Sequence, residues 1–147
     1  MTEATLARRL SAQVVLTILT FAALDYVWLG VAMREFYRVE LGALARQSAD
    51  GLAPIWWAAI GVYAVLVTGL VVFVLPRTGG SPSRAALLGG LFGLVTYGTY
   101  DFTGYAVISG WSLRMTLVDL AWGAVICGLT AAIVTTADSR LARASQV

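Results

Sequence analysis

The sequence predicts an all-α integral membrane protein, a bundle of four transmembrane helices with both termini on the cytoplasmic side. Three observations predict it. Apolar residues make up 59% of the 147 residues and charged residues only 12%, against about 25% charged in soluble domains. The charges are clustered, which leaves four stretches long enough for a bilayer crossing of about 20 apolar residues. Arginines, finally, divide unevenly between the two sides that four crossings define.

The first stretch runs from about Leu10 to Met33. Arg8 and Arg9 precede it, as in a signal peptide, but the apolar run continues past Asp25 and exceeds the roughly 7–15 residues of a signal sequence. It is read as an uncleaved span. Residues 34–53 carry Arg34, Glu35, Arg38, Glu40, Arg46 and Asp50, interleaved with Phe36, Tyr37, Val39, Leu41 and Leu44. That mixture suits a short helix lying at the interface. The second span runs from about Pro54 to Leu75. Residues 76–84, rich in Pro, Gly and Ser, are read as non-helical. The third span runs from about Ala85 to Ile108 and the fourth from about Leu113 to Thr136. Ser109–Ser112 between them is a tight hairpin, and the tail after Asp138 is polar and basic.

With an even number of spans the termini share a side. That side holds Arg8, Arg9, Arg77, Arg84, Arg140 and Arg143; the other holds Arg34, Arg38, Arg46 and Arg114. The arginine excess places the termini in the cytoplasm. Trp56, Trp57 and Trp111 fall at the opposite interface, as members of an aromatic belt would.

Several classes of function are excluded by what the chain lacks. The net charge of +2 is too small to indicate a nucleic-acid partner. There is no histidine, hence neither the commonest general base nor the commonest metal ligand. No CxxC, HExxH or GxSxG motif occurs, and Ser109 and Ser112 have no histidine to activate them. Cys127 sits in an apolar run and is read as a small packing residue. No cofactor is expected. Carboxylates alone are a thin ligand set, so no metal site is expected either.

The chemistry-bearing feature is a set of three aspartates, Asp25, Asp101 and Asp119, each inside a span. An acid at that depth costs about 2.5–3.5 kcal/mol on insertion scales and should face a protein interior. At 1.5 Å per residue, Asp25 lies about 22 Å along the first span. Asp101 and Asp119 stand equally far before and after Gly110 in the hairpin, so the three carboxyls are expected in one layer near the outer side. Gly90, Gly93, Tyr97, Asp101 and Gly104 share a stripe of the third span; Thr116, Asp119, Gly123 and Thr130 share one of the fourth; Phe21, Asp25, Trp28 and Leu29 share one of the first. Gly89 and Gly93 form a GxxxG pair suited to close helix contact. Donors to the carboxyls are available from Tyr26, Tyr63, Tyr97, Tyr100, Tyr105, Trp28, Trp122, Thr99, Thr103 and Thr116, and Arg34 and Arg114 could snorkel inward. Carboxyls so close cannot all ionise. The layer would then bind or move a proton, a cation or a small amphiphile at Asp25, Trp28, Tyr97, Tyr100, Asp101, Asp119 and Trp122. The structural alternative is that each aspartate is simply a polar contact between helices.

The segments LDYVWLG (24–30), TYGTYDFTGYAVISGW (96–111) and LVDLAWG (117–123) resemble a bacterial membrane family, domain of unknown function 2177. FYRVELG (36–42) and the Tyr63, Gly69, Phe73, Pro76 pattern extend the resemblance over about residues 10–134. Family members often carry asparagine or leucine after the acid of the third span, where this chain has Gly104 and Tyr105. The resemblance implies a four-span bacterial inner-membrane protein and draws attention to Asp25, Trp28, Tyr100, Asp101, Asp119 and Trp122, without implying a substrate.

Three functional readings follow. The first is a binding or transport protein in the lipid bilayer, a homodimer if it transports. The second is a membrane enzyme acting on a lipid or isoprenoid, with Asp101 and Asp119 as general acid and base. The third is an accessory subunit of a larger membrane complex.

Overall fold

The computed structural model describes residues 3–48 and 51–144. Asp50 of the connecting loop and the last three residues of the basic tail lie outside the described residues. The chain is helical: α1 (Glu3–Asp25) continues as π-helical turns (Tyr26–Ala32), followed by α2 (Arg34–Leu41), α3 (Trp56–Gly69), α4 (Pro82–Val107) and α5 (Leu113–Ala144). A small antiparallel pair, β1 (Gln47–Ser48) with β2 (Gly51–Leu52), closes the loop after α2.

Among the described residues, three segments are long and apolar enough to cross a membrane: Ala7–Ala32, Trp56–Arg77 and Leu113–Leu141. This is a multi-pass membrane protein. α4 is of similar length at 26 residues, but Asp101, three tyrosines and a run of glycines and threonines make it less apolar.

Several helices are longer than their apolar runs. α1 begins at Glu3 and α5 continues to Ala144, because polar residues extend a helix wherever its end projects into water. Residues 76–84 are not wholly irregular. A 3-10 turn covers Leu75–Arg77, and α4 starts at Pro82, with the Ser81 side chain accepting from the Arg84 N–H. Proline is acceptable there because the first helical N–H has no partner in any case.

α4 and α5 form an antiparallel hairpin in contact along their length. α1 packs antiparallel on α5, and α3 with its continuation (Leu70–Val74, π-helical) packs on α1 and α4. The core between them is apolar: Phe21, Leu70, Ile126, Cys127 and Val134 are essentially inaccessible. Cys127 is thus a packing residue, as its setting predicts. The hairpin interface depends on missing side chains. A Cβ on Gly93 would lie 1.9 Å from the Gly123 carbonyl oxygen, and one on Gly89 2.5 Å from that of Cys127. Only glycine permits this approach.

At the terminal end, Arg9 Nε donates to both oxygens of Asp138, at 2.9 and 3.1 Å, and Gln13 Nε2 donates to Asp138 at 3.2 Å. This pair fastens α1 to α5. The Arg9 side chain is half exposed, so Arg9→Gln is expected to lower stability by only about 0.5–1 kcal/mol. The loss should shrink in high salt, as thermal melts at two ionic strengths would show.

Candidate functional site

The site is built at the other end of the molecule, where α2 and the 108–112 hairpin lie. Asp25 stands where α1 passes from α-helical to π-helical turns, with the Met33 N–H bonding the Trp28 carbonyl at 2.8 Å. Such widened turns occur frequently at functional sites. Asp25 is buried and accepts two hydrogen bonds, from Tyr63 Oη on α3 at 2.6 Å and from Trp122 Nε1 on α5 at 3.1 Å. The Trp122 indole stacks on Trp28, with ring centroids 4.2 Å apart and planes within 4°. Trp28 Nε1 donates to Tyr37 Oη at 3.0 Å, and Tyr37 Oη donates to Asp119 Oδ1. Two carboxyls on different helices are thereby joined through neutral donors and one stacked indole pair.

Asp101 completes the group. Its carboxyl is a neighbour of Asp119 across the α4–α5 interface. It is 0% exposed, and neither of its oxygens has a donor among the described residues. Two carboxylates only accept, so a bond between them exists only when one carries a proton.

α2 covers this group. Its amphipathic turn buries Tyr37, whose proximity to the acids could be anticipated only weakly from its place in FYRVELG. Burial, and then the bond to Asp119, raise the Tyr37 pKa and keep it a neutral phenol. Glu40 accepts from Ser112 Oγ and pairs with Arg114 at 3.2 Å, while the Arg114 guanidinium lies over Phe36 at 5.2 Å. Arg114 therefore fastens α2 to the hairpin instead of reaching inward to the acids. On the exposed side of α2, Arg38 donates to Glu35 at 2.8 Å and holds that carboxyl below the usual carboxylate range. This staple holds at neutral pH and loosens on acidification.

Of the expected site residues, Asp25, Trp28, Asp101, Asp119 and Trp122 meet. Tyr97 lies among them with its ring packed on Gly123. Tyr100 does not join the contact network: it is 66% exposed and packs edge-on against Trp111, at 5.5 Å. A residue one position before Asp101 points about 100° away from it on a helix. Leu29, Tyr26 and Tyr105 also face outward. Thr99 and Thr103 bond back to Val95 and Thr99 carbonyls, and Thr116 bonds the Ser112 carbonyl and receives the Trp111 indole N–H at 3.2 Å. Trp111 is therefore more than an interfacial anchor. Its ring fills the space beside Gly104, where a Cβ would approach it to 2.7 Å. This accounts for glycine at that position. Trp56 and Trp57 remain exposed, as belt residues should be.

The family described as "Predicted membrane protein", domain of unknown function 2177, matches residues 10–136. The chain belongs to this family. The match takes in α2, α3, α4 and every residue of the carboxyl group, together with its donors. No curated protein and no solved structure matches the chain.

Proposed function

We propose that this family member is a four-span protein of the bacterial inner membrane, with cytoplasmic termini, whose Asp101–Asp119 pair binds a proton. The observation that carries the reading is Asp101: a fully buried carboxyl with no donor among the described residues, next to a second carboxyl. Two adjacent negative charges in a low-dielectric interior repel strongly, and one shared proton removes both the repulsion and the missing donor. Burial also selects the occupant. A proton enters a closed contact, whereas a hydrated cation or an amphiphile enters only after the helices part.

Length and packing support α4 as a further crossing, third in chain order, beside the three apolar segments. Its 26 residues extend about 39 Å, alongside a helix that is itself long and apolar enough to cross. The arginine excess at the terminal end supports the orientation. Asp25 differs from the pair because it accepts hydrogen bonds from two neutral donors, Tyr63 and Trp122.

Infrared spectroscopy of the purified protein tests the reading. At neutral pH the unmodified chain is expected to show the carbonyl band of a protonated carboxylic acid. Asp101→Asn and Asp119→Asn should each abolish it, since either leaves a single carboxyl free to ionise. A spectrum of the unmodified protein without that band removes the proposal.

A further inference from the structure

We propose that Tyr37 is the entry residue through which the carboxyl pair exchanges its proton with water, and that α2 is the cover controlling that exchange. The inference rests on the proton-binding reading and adds a route and a side to it. Three observations lead there. Tyr37 belongs to α2, outside the apolar spans, yet its hydroxyl donates directly to Asp119. The same hydroxyl accepts from Trp28 Nε1, which fixes its orientation. A phenol oxygen has two lone pairs, and Trp28 occupies one.

The exchange step balances without any co-reactant. In release, the Tyr37 hydroxyl turns its O–H toward a water and accepts the proton of Asp119 as the phenolic proton passes to that water, which leaves as hydronium. In uptake, a hydronium gives a proton to the free lone pair of Tyr37 Oη as the phenolic proton passes to Asp119 of the now unprotonated pair, leaving water. Tyr37 is neutral before and after. Rotation of the hydroxyl about its C–O bond restores the starting state. No redox change and no leaving group is involved.

The route is one-sided. Toward the termini, Phe21, Leu70, Ile126 and Cys127 close the interior with inaccessible apolar side chains. Toward the hairpin, the barrier is a single short helix held by Glu40 through Ser112 and Arg114. Tyr37 is 6% exposed in this closed arrangement, so water reaches it when α2 lifts. Glu40, Arg114 and Ser112 set how often that happens, and none of them touches the carboxyl pair in the described contacts.

Hydrogen–deuterium exchange of the infrared carboxyl band tests this with the full chain in lipid nanodiscs transferred into D2O. Tyr37→Phe keeps the ring and removes only the hydroxyl. The band should remain, with its exchange slowed about tenfold or more, the factor expected from removing one charge-assisted hydrogen bond from the path. Glu40→Gln weakens the fastening of α2 and should speed exchange with the band unchanged. A Tyr37→Phe rate equal to that of the unmodified protein overturns the entry role while leaving proton binding intact. If Tyr37→Phe fails to fold, a Glu40→Gln rate equal to that of the unmodified protein overturns the cover. A band missing from the unmodified protein overturns the route together with the reading on which it rests.

Discussion

Gly93→Leu is expected to be among the most damaging single substitutions in this chain. Its Cβ alone would lie 1.9 Å from the Gly123 carbonyl oxygen and 2.4 Å from the carbonyl carbon. Those are backbone atoms of a packed helix and cannot swing aside, so α4 and α5 must separate. Overpacking of a well-fitted interface costs roughly 1–3 kcal/mol and occasionally more. With backbone on the other side, about 3 kcal/mol or more is expected. The carboxyl pair straddles the same interface, so Asp101 and Asp119 would be drawn apart as well. A thermal melt in detergent checks the stability loss. Gly61→Ala is the control, because a Cβ there meets nothing within 4 Å, and its melting point should hold or rise. A Gly93→Leu protein as stable as the unmodified one would mean that α4 and α5 do not touch there.

Asp25→Leu is the second. Folding within a membrane compares helices already inserted with helices packed together, so the insertion cost of the acid is largely common to both states. What the substitution removes is the acceptor for Tyr63 and Trp122. Interhelical hydrogen bonds in membranes reach about 1.7 kcal/mol at their strongest, and two to one carboxylate bring the expected loss to about 3 kcal/mol. Denaturation of the purified variant measures it. Asp101→Asn should behave in the opposite way. Among the described residues its carboxyl has no donor to lose, and the new amide can donate to Asp119 without any shared proton. Stability equal to or above that of the unmodified chain is expected over pH 5–8. If Asp101→Asn proved as damaging as Asp25→Leu, the Asp101 carboxyl would be a structural contact like Asp25, and the proton site would lose its main support.

The three aspartates illustrate what could be read in advance. That Asp25, Asp101 and Asp119 face the interior follows from the cost of an acid in hydrocarbon. Their common level follows from the helical rise and from their equal distances to Gly110. The glycine stripe of α4 was likewise legible, since Gly89 and Gly93 are spaced for close approach and do press on α5. Tyr37 was not singled out, because an aromatic in a charged, amphipathic loop has the same signature whether it faces lipid, water or a carboxyl. Tyr100 stands outside the contact network for a related reason: proximity in sequence to Asp101 counts for little on a helix, where neighbouring side chains diverge.

Composition and the spacing of charges established the membrane setting, the long helices and the inward direction of the acids, since each follows from the free energy of one residue in one solvent. Which donor meets which carboxyl was another matter. Tyr63 and Trp122 reach Asp25, Tyr37 and not Arg114 reaches Asp119, and Asp101 reaches no donor among the described residues. Those differences arise from how five helices are turned against one another. A helix's rotation is set by side chains distant in the chain meeting in space, and no local pattern encodes that sum.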